Sequence, residues 1–288
     1  MFKLIFTNSR NESIELFGSP FRLSSVEGLG DVGADLQSQR APYQDGDTLL
    51  DVILEPRFMS LELTVRGKEV KAVETNRRRL ASVFNPKLGL GLLKYIRGDE
   101  VKMINVVAES VASFPDGDTN RGTQFQKALL FLKAPSPYWL SIEKVEQLVV
   151  WEGGLTFPLK LPTRFARQSE SKSKTLLNKG DVETPLRIVF NGPATAPIRI
   201  ENKTTDDFIQ VNQPLAIGER LEINTAFGQK RVERVLADGT RFNAFHYIKR
   251  GSKFFNLIPG NNLLDYSTGE DYERAGVLIT WQNRYLSV

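Results

Sequence analysis

The chain has 288 residues, 41% of them hydrophobic and 25% charged. That balance belongs to a globular protein with room for one large domain or two ordinary ones. The net charge is +4, 38 Lys and Arg against 34 Asp and Glu, and the basic residues are dispersed, so no nucleic-acid footprint stands out. There is no cysteine, which excludes disulfide staples, zinc–thiolate sites and cysteine nucleophiles and fits assembly in a reducing cytoplasm.

Met1–Thr7 carries no small-residue cleavage site, and every apolar run falls short of the roughly 18 residues of a spanning helix. Neither a secretory signal nor a membrane insertion is expected. Phe2–Phe6 and Ser13–Phe17 read as a hairpin around Asn8-Ser9-Arg10-Asn11. Gly28 to Asp47 reads as a long loop, rich in Gly (28, 30, 33) and Asp (31, 35, 45, 47) and broken by Pro42. A loop of that length inside a compact domain usually has a task. The letters GLGDVG fit a dinucleotide fingerprint, but Ala34–Tyr43 is polar and closed by Pro42, too short for the required helix. A strand-like run, Leu49–Leu54, follows.

Phe58–Arg66 alternates with Met59, Leu61, Leu63 and Val65 on one side, the period of a half-buried strand. Lys68–Phe84 is predicted to be a helix, with a stripe of Val70, Val73, Leu80, Val83 and Phe84, ended by Asn85-Pro86. Arg77, Arg78 and Arg79 lie between the apolar positions and read as a solvated face, with a subunit or anion contact as the rival. Gly91–Ile96, Val101–Val107 and Phe125–Leu132 read as strands, and the helix covers this sheet.

Pro135-Ser136-Pro137-Tyr138-Trp139 marks a boundary, because paired prolines do not continue a central strand. The domains are read as 1–140 and 141–288. Val145–Trp151 reads as a strand. Gly153–Thr184, with its polar SESKSK at Ser169–Lys174, reads as a surface excursion. Short strands then follow at Leu186–Phe190, Ile198–Glu201, Phe208–Val211, Arg220–Ile223, Arg231–Val235 and Phe242–Ile248. Turns fall at Asp238-Gly239 and Pro259–Asn262, and Ala275–Trp281 closes the chain. That spacing predicts a sandwich or jelly roll. The fold class is therefore mainly β with one helix: an α+β first domain and an all-β second domain.

The motifs Gly28-Leu29-Gly30, Ala41-Pro42-Tyr43-Gln44-Asp45-Gly46, Leu54-Glu55-Pro56-Arg57, Asn76-Arg77-Arg78-Arg79-Leu80 and Phe84-Asn85-Pro86-Lys87-Leu88-Gly89 resemble, in order and spacing, the distal tail proteins of siphoviruses. The resemblance covers roughly the first half. It implies a homo-hexameric ring at the virion's tail tip, assembled in the host cytoplasm, formed by the first domain and open for DNA to pass. The ring would join the tail tube protein to the baseplate, tail fibre or tail-associated lysin. The second domain would be a galectin-like or carbohydrate-module-like β-sandwich that can dock a receptor-binding protein. Within this reading Gly28, Gly30, Asp31, Pro42, Tyr43 and Asp45 form a subunit or tube interface loop.

The search for chemistry yields no catalytic, cofactor or metal site, and the chain is read as no enzyme. His246 is alone and reads as a strand residue; no G-x-S-x-G elbow accompanies it. Asp116-Gly117-Asp118-Thr119-Asn120 is oxygen-rich but lacks the downstream bidentate Glu of a calcium loop, position 127 being Lys127. Asp265, Glu270, Asp271 and Glu273 are carboxylates whose separation sequence does not fix. The alternative function is a carbohydrate-binding module contacting host cell-wall glycan through the second domain, with Tyr266, Tyr272 and Trp151 as its contacts. Trp281 is assigned to the core.

Overall fold

The computed structural model describes residues 2–148, 173–269 and 276–288, with the backbone of 151–152 and 167–168. It divides into two compact units: residues 1–142 with 285–288, and 143–284. The last four residues, placed by sequence with the second half, return to the first unit.

Unit 1 begins with β1 (Lys3–Thr7), β2 (Ser13–Glu15) and β3 (Phe21–Glu27), then β4 (Ala34–Gln39), β5 (Thr48–Leu54) and β6 (Arg57–Arg66). The helix α1 (Val70–Val83) follows, then β7 (Gly91–Arg97), β8 (Glu100–Ala108), β9 (Phe125–Ala134) and β10 (Trp139–Leu140). The main sheet runs β2-β1-β7-β8-β9-β6-β3 and is antiparallel throughout. β6 is ten residues long and pairs with β9 from Arg57↔Ala134 to Arg66↔Phe125. Its Met59, Leu61, Leu63 and Val65 are all buried, so the period of two read from the sequence is the inward face.

Helix α1 covers this sheet. Val73, Leu80 and Val83 are buried beneath it, and Phe84, just beyond, stacks on Phe6 at 4.2 Å between ring centroids. Val70 does not join the stripe; it lies in the first helical turn and is exposed. The helix stops where expected, with Asn85 capping a short 3₁₀ turn at Pro86–Leu88 through its side chain. Two of the three arginines are not simply solvated, while Arg78 is exposed as the sequence implied. Arg77 lies 4.6 Å over the Phe114 ring, and Arg79 reaches Phe21.

Unit 2 contains β11 (Lys144–Gln147), β12 (Trp151–Glu152), β13 (Arg167–Gln168), β14 (Ser173–Asn178), β15 (Arg187–Asn191) and β16 (Ile198–Asn202). It continues with β17 (Asp207–Val211), β18 (Arg220–Asn224), β19 (Arg231–Val235), β20 (Arg241–Asn243), β21 (Gly260–Ser267) and β22 (Val277–Trp281). β23 (Arg284–Tyr285) ends the chain's strands. One sheet runs β11-β22-β15-β18-β19-β20 and the other β14-β21-β16-β17. Ile188, Phe190, Leu221 and Ile279 of the first share one core with Leu176, Ile200, Ile209 and Leu264 of the second. This is the two-layer β-sandwich that the strand spacing implied.

Three readings are corrected. Ser173–Asn178 is a strand rather than part of a surface excursion; residues 153–166 and 169–172 of that excursion lie outside the described residues. Pro259–Asn262 is a turn only at its start, because Gly260–Ser267 is strand β21 at the middle of its sheet. His246 sits in a 3₁₀ turn, Phe245–Tyr247, after β20 has ended.

Candidate assembly site

Gly28 to Asp47 is not one long loop, because Ala34–Gln39 is a strand, and the strand expected at Leu49–Leu54 forms over Thr48–Leu54. β4 and β5 form an antiparallel two-stranded arm that pairs with no other strand among the described residues. Ala34 faces Leu54, Leu36 faces Val52 and Ser38 faces Leu49, so these six share one face. Asp35↔Ile53, Gln37↔Asp51 and Gln39↔Thr48 share the other. The register shifts between Gln37 and Ser38 and leaves Leu50 as the extra residue of a bulge. The arm therefore has one apolar and one mostly polar face, the pattern of a sheet covered on one side. Among the described residues nothing covers it: Leu36, Leu49 and Val52 on that face, with Leu50 at the bulge, are between 46% and 63% exposed.

The tip is set by its own hydrogen bonds. Arg40 Nε donates to the Gln44 carbonyl at 3.0 Å, the Ala41 amide donates to Gln44 Oε1 at 3.0 Å, and Ser38 Oγ donates to Asp47 at 2.5 Å. Gly46 takes φ +76°, the left-handed conformation glycine tolerates. Tyr43, also left-handed at φ +66°, is fully exposed. A bulky residue held there presents its ring outward at some backbone cost.

The base is set by Arg57, which is completely buried. Its Nη1 donates to the carbonyls of Gly28 (3.0 Å) and Asp31 (2.8 Å), its Nε to Pro137 (3.0 Å) and its Nη2 to Leu286 (2.5 Å). Burial lowers the guanidinium pKa, and the nearby charge of Asp31 opposes that shift. One side chain thus ties the start of the arm, the end of the unit 1 chain path and the returning C-terminus. Trp139, also fully buried, donates from Nε1 to the Leu29 carbonyl at 3.0 Å. Gly28 admits no other residue: at φ +85°, a Cβ would stand 2.0 Å from the Phe58 carbonyl oxygen.

The six interface residues named from sequence fall at the two ends of this arm. Gly28, Gly30 and Asp31 are at the base; Pro42, Tyr43 and Asp45 are at the tip. Sequence reasoning missed the apolar face between them. The signal was present in the alternation of Ala34 and Leu36 with Asp35 and Gln37, and in Asp45-Gly46, a hairpin-turn dipeptide.

The sugar contacts do not form a group. Tyr266 is 4% exposed and belongs to the sandwich core opposite Ile200, because β21 turns Leu264 and Tyr266 inward. It offers no stacking face. Tyr272 and the Trp151 side chain lie outside the described residues, as do Glu270, Asp271 and Glu273. Trp281 is a core residue. The Asp116–Asn120 segment closes on itself, with Asn120 Nδ2 donating to the Asp116 carbonyl at 2.9 Å.

One carboxylate on the sandwich is held by a cluster of arginines. Glu222 is buried and receives hydrogen bonds from Arg220 (2.7 Å), Arg241 (3.1 Å) and Arg187 (3.2 Å). Burial alone raises its pKa, but these arginines outweigh it and bring the carboxyl down to about 2.

Comparison with known proteins places both units. Residues 9–128 match the family described as phage tail protein RIFT-related domain, and residues 179–285 match the siphovirus-type tail component, C-terminal domain. No curated protein matches the chain. Among solved structures, the Dit protein of phage SPP1, described as a hub adsorption apparatus in phages infecting Gram-positive hosts, aligns over 99% of this chain and all of its own. The TM-score is 0.70 at 13% identity. A chain of the phage P2 baseplate in its activated conformation aligns over the full length of both, with a TM-score of 0.55 at 8% identity. These likenesses carry the fold. The two family matches, one on each folding unit and together spanning most of the chain, identify it as a siphovirus-type tail component, a protein of the virion tail.

Proposed function

We propose that this protein forms a closed homo-hexameric ring at the distal end of the tail, joining the tail tube protein to the baseplate, tail fibre or tail-associated lysin and leaving a channel for DNA. Its role is structural and not enzymatic. The observation that carries this reading is the arm of β4 and β5. A two-stranded hairpin is marginal in water by itself, and an apolar face of this size on an otherwise well-packed unit marks an interaction surface. A ring requires head-to-tail contacts that close on themselves. A projecting arm supplies one half of such a contact and leaves the other half to a different surface. Gly28, Gly30 and Asp31 aim the arm, and Pro42, Tyr43 and Asp45 present its tip to a neighbouring subunit or to the tube. Unit 2 is the outward module for a receptor-binding protein. A direct glycan contact is the weaker role for it, since Tyr266 is in the core.

The test is the mass of the purified protein by light scattering after gel filtration, with negative-stain images of the peak. Closed rings with an open centre are expected. A chain that stays monomeric at every concentration, alone and with the tube protein, contradicts the reading.

A further inference from the structure

The arm needs a place to dock, and unit 1 carries a matching groove. Beside β3 lies a depression of about 740 Å³ lined by Leu16, Phe17, Leu23 and Val26, with Arg22 and Arg66 as its charged residues and no carboxylate in its lining. β3 is the end strand of the main sheet and pairs only with β6 among the described residues, so its outer edge is open. An open edge of backbone donors and acceptors accepts an added strand.

The charges of arm and groove are opposite. Residues 31–55 hold six carboxylates, Asp31, Asp35, Asp45, Asp47, Asp51 and Glu55, against the single Arg40. The arm is therefore −5 in a chain whose net charge is +4, which leaves +9 on the remainder. The arm does not fill its own chain's groove, since its apolar residues are exposed. We propose that the groove beside β3 receives the arm of a second copy of this chain, with Leu36, Leu49 and Val52 over Phe17, Leu23 and Val26, and the arm's aspartates against Arg22 and Arg66. This rests on the ring reading and specifies its contact. It is heterologous, arm on one copy and groove on the next, the geometry a ring requires.

A benzophenone amino acid in place of Val52 tests it directly, because this position is exposed. Full-length light and ¹⁵N-labelled chains are mixed, allowed to assemble, irradiated and mapped by mass spectrometry. Cross-links between light and heavy chains at Phe17, Leu23 or Val26 are expected. Arg22→Glu with Arg66→Glu should lower their yield about tenfold, the loss of roughly 1.4 kcal/mol of attraction. Light–heavy cross-links that map to any other surface overturn the groove while leaving the ring reading in place. Cross-links confined to one chain, or made only to the tube protein when that is added, overturn it in the same way. A chain that never leaves the monomeric state overturns both.

Discussion

Strands β5 and β6 are separated only by Glu55 and Pro56, and both are rich in apolar residues, yet they lead opposite lives. In β6, Met59, Leu61, Leu63 and Val65 are each 2% exposed or less, packed into the core of unit 1. In β5, Leu49, Leu50, Val52 and Ile53 face solvent. Burying a leucine-sized side chain stabilises by about 2 kcal/mol, so the core accounts for the composition of β6. No such term accounts for β5 within one chain. The apolar residues of β6 hold this unit together; those of β5 find no cover among the described residues. Arg57, the first residue of β6, joins the two regimes, holding the arm's base with side-chain donors while its strand enters the core.

The sharpest way to break this comparison is at that joint. Arg57→Leu removes the donors to four carbonyls, of which those of Gly28 and Pro137 are in buried bonds. It should cost unit 1 about 4 kcal/mol in urea unfolding; a loss below about 1 kcal/mol would mean the Arg57 bonds are not structural. On the core side, Leu63→Ala should cost about 3 kcal/mol, read as a lowered unfolding midpoint. Away from both, Glu222→Gln should cost unit 2 about 2 kcal/mol at neutral pH, allowing for screening of its half-exposed arginines. The sign follows from the depressed pKa. Glu222's contribution is complete above the ordinary carboxylate value of 4.5 and is lost as pH falls towards about 2. In that window the variant should lose the part of the acid destabilisation that Glu222 supplies. An identical acid titration in variant and parent would refute the assignment. Smallest in stability, and largest in consequence, is Leu36→Asp with Val52→Asp. On exposed positions it should change unfolding by less than about 0.5 kcal/mol while removing the apolar face.

How much of this was legible depended on where each residue finds its cover. β6 and α1 could be read because their periodicity is satisfied inside the same unit. β4, ADLQSQ, escaped because it is exposed throughout, so its alternation is short and its polar residues read as loop. β21 escaped for a different reason. Asn262 reads as a turn residue, yet it is fully buried. Its Nδ2 donates to the Ile258 carbonyl at 2.8 Å, and its Oδ1 accepts from the Ile258 amide and from Asn202. A buried asparagine with all its groups matched looks, in one dimension, like any asparagine in a turn. Arg57 was visible only as one letter of a motif. Its role requires partners from residues 28, 31, 137 and 286, a convergence that no local pattern encodes.

The central claim is that the apolar arm serves assembly and not the fold. The most direct measurement compares the parent with Leu36→Asp/Val52→Asp by light scattering after gel filtration, alongside their urea unfolding curves. The account predicts rings for the parent, monomers for the variant and superimposable unfolding. Rings of equal mass from the variant, or an unfolding midpoint shifted as far as that of Leu63→Ala, would contradict it.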